Sequence, residues 1–190
     1  MKVILASSNQ GKIEEFSRKL SPEISIESRE KIHVEETGQS YFENALLKAK
    51  AYYDAYKLPS LSDDSGLNLE AFPYLLGLYS ARYKPEFNDY IDKCNCLLEH
   101  YKENKTENRQ AYFSCILCLY LNPNEIFFFE GRSNGSISES LSGTTGFGFD
   151  PIFLPTHHPE MKSFAEDLAW KEQYGHRAKA INELKKFRSV

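Results

Sequence analysis

An α/β fold with a mixed sheet flanked by helices is what this sequence predicts, and two local patterns carry that expectation. The chain opens with an apolar run over 2–6, breaks into the polar stretch Ser7-Ser8-Asn9-Gln10-Gly11-Lys12, and then sets Ile13, Phe16 and Leu20 at helical spacing. That is a strand, a loop and a helix in succession. Much later, strand-like runs over 111–121 and 125–131 are joined by Asn122-Pro123-Asn124, which has the turn chemistry of an antiparallel hairpin.

The remaining elements follow in order. Ser40 with Glu43 forms a capping box, and Phe42, Ala45, Leu46, Ala49, Tyr52 and Tyr53 recur on one face, predicting a helix that Leu58-Pro59 stops near residue 57. Asp63-Asp64-Ser65-Gly66 then leads into the alternating Leu67, Leu69 and Ala71, so two acids fall at or beside a strand. Residues 73–88 read as loop apart from Tyr79-Ser80-Ala81-Arg82-Tyr83, and Ile91, Cys94, Leu97, Leu98 and Tyr101 mark a third helix. The stretch 103–108 is polar and is expected to be exposed. A glycine-rich loop from Gly143 to Pro151 and a closing helix over about 176–187 complete the chain, without internal repeat or low-complexity tract.

Composition narrows the function classes. With 190 residues, 41% of them apolar and 14% aromatic, the chain can bury a sizeable core as one unit or as two closely joined lobes. A net charge of −4 excludes the broadly basic surface that grips nucleic acid, while leaving room for a local pocket that takes a small anion. The longest apolar run is too short to span a bilayer and the N-terminus turns polar at once, so no membrane association and a cytoplasmic location are expected. Cys115 and Cys118 lie inside the apolar run rather than in a turn that could wrap a metal, and together with Cys94 and Cys96 they read as reduced thiols.

Four places carry candidate chemistry. The loop from Ser7 to Lys12 sets hydroxyls, amides, a glycine and a lysine at a helix N-terminus, an arrangement that suits phosphate, although an ordinary capped turn has the same spacing. Asp63 and Asp64 are adjacent carboxylates that a divalent cation would stabilise, with Glu35 and Glu36 available to join them; a solvated acidic turn is the plainer alternative. Phe147, Gly148, Phe149 and Asp150 combine close backbone approach with flat faces on which a purine can stack, or else form a tight turn with core phenylalanines. Lys171 and His176-Arg177 can meet phosphate or a base oxygen, or simply cover a helix surface. One nucleotide site would explain all four.

These residues also resemble a known family, the inosine triphosphate pyrophosphatases. The resemblance runs nearly end to end: Ser7-Ser8-Asn9-Gln10-Gly11-Lys12, Glu35-Glu36-Thr37-Gly38, Phe42-Glu43-Asn44-Ala45, Leu61 to Leu67, Tyr79 to Tyr83, Gly146 to Phe153, Ala165-Glu166, Lys171 and His176 to Ala180. It implies an elongated mixed sheet in two lobes with a central cleft, residues 1–190 forming one nucleotide pyrophosphatase domain, a homodimer, and magnesium-dependent hydrolysis of ITP, dITP and XTP to monophosphate and pyrophosphate. Under it, Asp64 looks like the catalytic acceptor and metal ligand and Glu35 like a further metal-associated carboxylate. Ser7 to Lys12, Ser65 and Lys171 would contact substrate, and Phe147 to Asp150 with His176 and Arg177 would form the base pocket. The pattern is departed from at Phe149, at Gly175 where a serine usually precedes His-Arg, and at Leu75-Leu76-Gly77. A pyrophosphatase of similar fold acting on pyrimidine or modified guanine nucleotides is the alternative reading.

Overall fold

Val3, Ile4 and Leu5 are each 1% exposed, the burial expected of a strand with neighbours on either side and layers on both faces. The computed structural model, which describes residues 1–7 and 9–188, sets Lys2–Leu5 (β1) inside a six-stranded sheet. The other strands are Ser25–Glu27 (β2), Ser60–Leu69 (β3), Gln110–Asn122 (β4), Glu125–Ile137 (β5) and Phe153–Pro155 (β6), in the order β2-β1-β3-β4-β5-β6. The sheet is mixed. β1 runs parallel to β2, with Val3 opposite Ile26, and to β3, with Leu5 opposite Leu61; β5 and β6 are antiparallel, with Ser136 opposite Leu154. Parallel neighbours need crossovers, which helices Gln10–Leu20 (α1) and Tyr41–Tyr56 (α2) supply. Helices Tyr90–Glu103 (α3), Leu168–Tyr174 (α4) and His176–Arg188 (α5) follow.

The chain divides into two units, one made of Met1–Ser65, Cys115–Gly131 and Lys179–Val190, the other of Gly66–Ser114 and Arg132–Ala178. In the first, Phe16 and Leu20 of α1 and Ile181 and Leu184 of α5 pack with Val3, Leu61, Leu117 and Leu119 from the strands. In the second, Cys94, Leu97 and Tyr101 of α3 join Leu67, Leu69, Phe113, Ile152, Phe153 and Phe164. Cys94, Cys115 and Cys118 are fully buried, and burial pushes the thiols of Cys94 and Cys118 up to about 12, so these groups pack rather than react. Cys96 is half-buried, and none of the four cysteines forms a disulfide. No helix among the described residues is long and apolar enough to cross a membrane.

The structure departs from the sequence reading in a few elements. β2 and β6 are three residues each and α4 is seven, too short to produce a periodic signal. β5 continues beyond Gly131 to Ile137 through the mostly polar Arg132-Ser133-Asn134-Gly135-Ser136. The acids lie where the pattern set them, in a strand rather than in a solvated acidic turn: Asp63 and Asp64 are within β3, 2% and 8% exposed. That strand is buried without being apolar because Ser60 Oγ donates to Ala49 O at 2.7 Å and Ser62 Oγ to Ala45 O at 2.5 Å, satisfying both hydroxyls on α2.

Candidate active site

Side chains alternate across a strand, and this alternation distributes the acids of β3. Ser60 and Ser62 face α2, Leu61 belongs to the core packed on α1, and the same parity sends Asp63 toward α1 and Asp64 toward α2. Each acid accordingly has its own lysine. Lys12 Nζ donates to both Asp63 carboxylate oxygens, at 2.9 and 2.8 Å. Lys48 Nζ donates to Asp64 Oδ1 at 3.0 Å and to Glu36 Oε1 at 2.7 Å, while Asn44 Nδ2 reaches Asp64 Oδ2 at 3.2 Å. Ser65 Oγ lies 3.4 Å from Asp63 Oδ2.

The first loop is organised by its own side chains. Ser7 Oγ accepts the Asn9 N–H at 3.2 Å, and Asn9, the N-cap of α1, accepts the Lys12 N–H at 3.0 Å. Gln10 turns to Glu14, 2.9 Å away, and Gly11 is exposed; Ser8 lies outside the described residues. Ser7, Asn9 and Lys12 line a cleft of about 270 Å3 together with Asp63, Lys48 and Glu36. Its other wall is the segment before α2, where Asn44 Oδ1 accepts the Gly38 N–H at 2.9 Å and so ties the glutamate-bearing loop to the helix that holds Asp64.

Burial pushes the Asp64 carboxyl above the ordinary carboxylate range, against the pull of Lys48, with Glu36 and Asp63 adding to the rise. For Lys48, burial works against the charge but is outweighed by Asp64, Asp63 and Glu36, and its pKa is raised. Lys48→Met therefore removes the main influence holding the Asp64 pKa down. If Asp64 must be ionised to act, the acid limb of kcat/KM moves to higher pH in this variant; an unmoved limb would assign that ionisation to another group.

Asn44 and Lys48 carry a site role that the sequence reading did not give them. They stand four residues apart on the inner face of α2, and a polar pair at that spacing beside the buried Ala45, Ala49 and Tyr52 is the signal that could have pointed to them. Glu35, the carboxylate marked as metal-associated by the resemblance, is exposed; Glu36 is the one that shares Lys48 with Asp64.

The second unit builds a separate polar cluster. Lys171 Nζ lies 2.5 Å from Asp150 Oδ2, and the same oxygen accepts the Phe147 N–H at 2.8 Å. Gly146 has φ +78°, and a Cβ there would collide with that carboxylate, so the loop closes on Asp150 only with glycine at this position. Burial drives the Asp150 carboxyl upward, with Lys171, the Phe147 amide and Arg177 opposing it. Phe147 is 43% exposed, with Lys171 Nζ 4.0 Å and Arg177 Cζ 5.7 Å from its ring centre.

Arg177 is buried, and His176 stacks on Phe113 at 4.6 Å and 12°. Phe149 is not offered to a ligand: it is 3% exposed and packs edge-on against Tyr90 at 5.7 Å within the core, while Gly148 next to it has φ +69°. Gly175 N–H donates to Lys171 O at 2.8 Å where α4 ends, and a Cβ at 175 would press on that carbonyl. Asp167 caps α4 through the Trp170 N–H at 2.9 Å and meets His158 Nε2 at 3.2 Å, which fixes the helix bearing Lys171.

Two hard carboxylate oxygens, from Asp64 and Glu36, converge on the Lys48 ammonium, so the first unit already gathers anionic donors around one positive charge. That donor set fits magnesium, which uses one or two carboxylates and completes its shell with water and phosphate oxygens. Among the described residues no cluster of three or more His, Cys, Asp or Glu could hold a metal by itself.

Sheet and cleft define the class: a mixed-sheet α/β protein with an acid-and-lysine pocket suited to a metal ion and a phosphate chain. The family model described as the Ham1 family matches residues 3–187, and the chain belongs to that family. It is 38% identical to the dITP/XTP pyrophosphatase of Malacoplasma penetrans over 98% of each chain, and 40% identical to that of Aquifex aeolicus over 97% of this chain and 95% of the other. Among solved structures it is similar to the Ham1 protein of Staphylococcus aureus, at TM-score 0.87 and 34% identity, over 100% of this chain and 98% of that one. The HAM1 protein of Coxiella burnetii has TM-score 0.89 and 30% identity with the same coverage.

Proposed function

We propose that this chain hydrolyses non-standard purine nucleoside triphosphates, ITP, dITP and XTP, to the nucleoside monophosphate and pyrophosphate. The observation that carries this reading is the pairing of Asp63 and Asp64 from one strand with lysines from two helices, both of which line one cleft with Asp63, in a chain whose relatives bear the name dITP/XTP pyrophosphatase. Residues 1–190 act as one functional unit.

Asp64 and Glu36 would hold magnesium, with Glu35 one residue away on the exposed side of the loop. When bound, the ion neutralises phosphate oxygens and makes the phosphorus easier to attack. Asp64 accepts the proton of the water that attacks the α-phosphorus, and the bond to the bridging oxygen breaks as pyrophosphate leaves. Lys12, with Ser7, Ser8, Asn9, Gln10 and Gly11, takes the phosphate chain, its ammonium turning from Asp63 toward the incoming anion; Ser65 adds a hydroxyl. In the second unit, Phe147, Gly148 and His176 would shape the base pocket. Asp150 and Lys171 fix the loop, and Phe149 supports it from the core.

Arg177 would donate to the 6-oxo group of hypoxanthine or xanthine, and would meet the 6-amino group of adenine with no acceptor to offer. Arg177→Lys, which keeps a charge in a buried position, should narrow the preference for ITP over ATP by about tenfold. Ratios of kcat/KM check this, and an unaltered ratio would place base selection elsewhere. The assembly we propose is a homodimer in the cytoplasm, checked by light scattering of the purified protein.

The deciding assay is pyrophosphate release from ITP, dITP, XTP, ATP, GTP and pyrimidine triphosphates, with magnesium and again with EDTA. Hydrolysis restricted to the first three and abolished by EDTA supports the reading. Preference for pyrimidine or modified guanine nucleotides would move the chain to the alternative substrate class.

A further inference from the structure

Two side chains of the first cleft, one lysine and one histidine, have no part in the chemistry above. Lys31 and His33 line the same cleft as Ser7, Asn9 and Lys12, on the segment between β2 and α2. Among the described residues neither has a carboxylate partner, whereas Lys12 is held by Asp63 and Lys48 by Asp64 and Glu36. The segment that carries them is tethered on either side of Lys31. The Tyr52 hydroxyl accepts the Ile32 N–H at 3.2 Å, and the Tyr56 hydroxyl donates to Glu30 O at 3.2 Å, both from consecutive turns of α2. Tyr52 is itself 3% exposed, so the backbone around Lys31 rests on a buried anchor.

Charge makes these two side chains necessary. The engaged ammoniums of Lys12 and Lys48 face the three carboxylates Asp63, Asp64 and Glu36, which leaves the inner cleft with an excess negative charge. A triphosphate brings about four more, and cleavage gathers negative charge on the departing diphosphate. One divalent ion shared with the carboxylates does not balance that sum; among the described residues lining the cleft, Lys31 is a further cationic side chain and His33 offers a ring N–H donor.

We infer that Lys31 and His33 form a diphosphate subsite, holding the β- and γ-phosphoryl groups of the bound substrate and then the pyrophosphate product. The inference rests on the proposed pyrophosphohydrolase reading and extends it to residues outside the matching motifs. Lys31 supplies a full positive charge and His33 a ring N–H donor to the phosphoryl oxygens, and product release requires their contacts to break.

The test is calorimetric titration of the 190-residue chain with pyrophosphate in the presence of magnesium, and separately with inosine monophosphate, for the native protein, Lys31→Ala, His33→Ala, the double variant and Lys31→Arg. The expected result is that pyrophosphate binds the native protein, that its Kd rises about tenfold in the double variant, and that Lys31→Arg retains most of the affinity. The monophosphate Kd should stay within about twofold throughout, because that product keeps only the α-phosphoryl group. Equal pyrophosphate affinity in native and double-variant protein overturns the subsite, as does an equal loss for both ligands. Hydrolysis of ITP is measured on the native protein alone: its absence rejects the enzymatic reading, while the titrations still decide whether Lys31 and His33 bind diphosphate.

Discussion

Asp64→Asn is expected to lower kcat by about a hundredfold to ten-thousandfold, the usual range for removing a general base. Asparagine matches aspartate in shape but cannot accept a proton or carry the charge that a metal ion and Lys48 both require. The fold should survive the change. Asp64 is buried and its carboxyl is pushed upward by that burial, so replacing it with a neutral amide removes an unfavourable charge as well as a favourable pair. Lys48 keeps Glu36 at 2.7 Å as a partner, which limits the damage. Steady-state kinetics on ITP, set beside thermal unfolding, separate the two effects. Near-native turnover in a well-folded variant would remove Asp64 from the mechanism.

Asp150→Ala should cost stability rather than chemistry in the first instance, by about 3–5 kcal/mol, the range for breaking a buried ion pair from one side. The side chains of Asp150 and Lys171 are 2% and 8% exposed, and one oxygen of Asp150 serves both the ammonium and the Phe147 N–H. Truncation leaves a buried cation and a loop amide unsatisfied together. Asp150→Asn, which keeps an acceptor for the amide, should lose less. The double variant Asp150→Leu with Lys171→Met should recover a good part of the loss, since two apolar groups leave no orphaned charge. Denaturant unfolding measures all three, and a double variant as unstable as Asp150→Ala would mean that packing volume, not the charge pair, sets the cost.

The two sites differ in how far local sequence pattern reveals them. In the second unit, the run from Gly143 to Pro151 announces a tight loop by composition, because positive φ and close backbone approach select glycine, and the structure has glycines at φ +69° to +78° there. What composition does not reveal is which aromatic remains accessible. Phe147 and Phe149 are equivalent in the string, yet one is 43% exposed beside two cations and the other is sealed against Tyr90.

In the first unit, the sequence by itself determined the elements with strong periodicity or capping: the opening strand and helix, α2 with its Ser40 cap, and the β4–β5 hairpin. It also determined that Asp63 and Asp64 are paired acids at or beside a strand, and that Lys12 stands in a polar loop where a helix begins. Local interactions within a few residues fix such features, so they are legible in a linear string. Only the tertiary structure decided that each acid takes a different lysine, that Glu36 rather than Glu35 shares Lys48, and that Asn44 joins the glutamate loop to Asp64. The physical reason is that strand alternation and helix crossover bring together groups as distant as Lys12 and Asp63, 51 residues apart, and the sheet order that sets those pairings has no local signature.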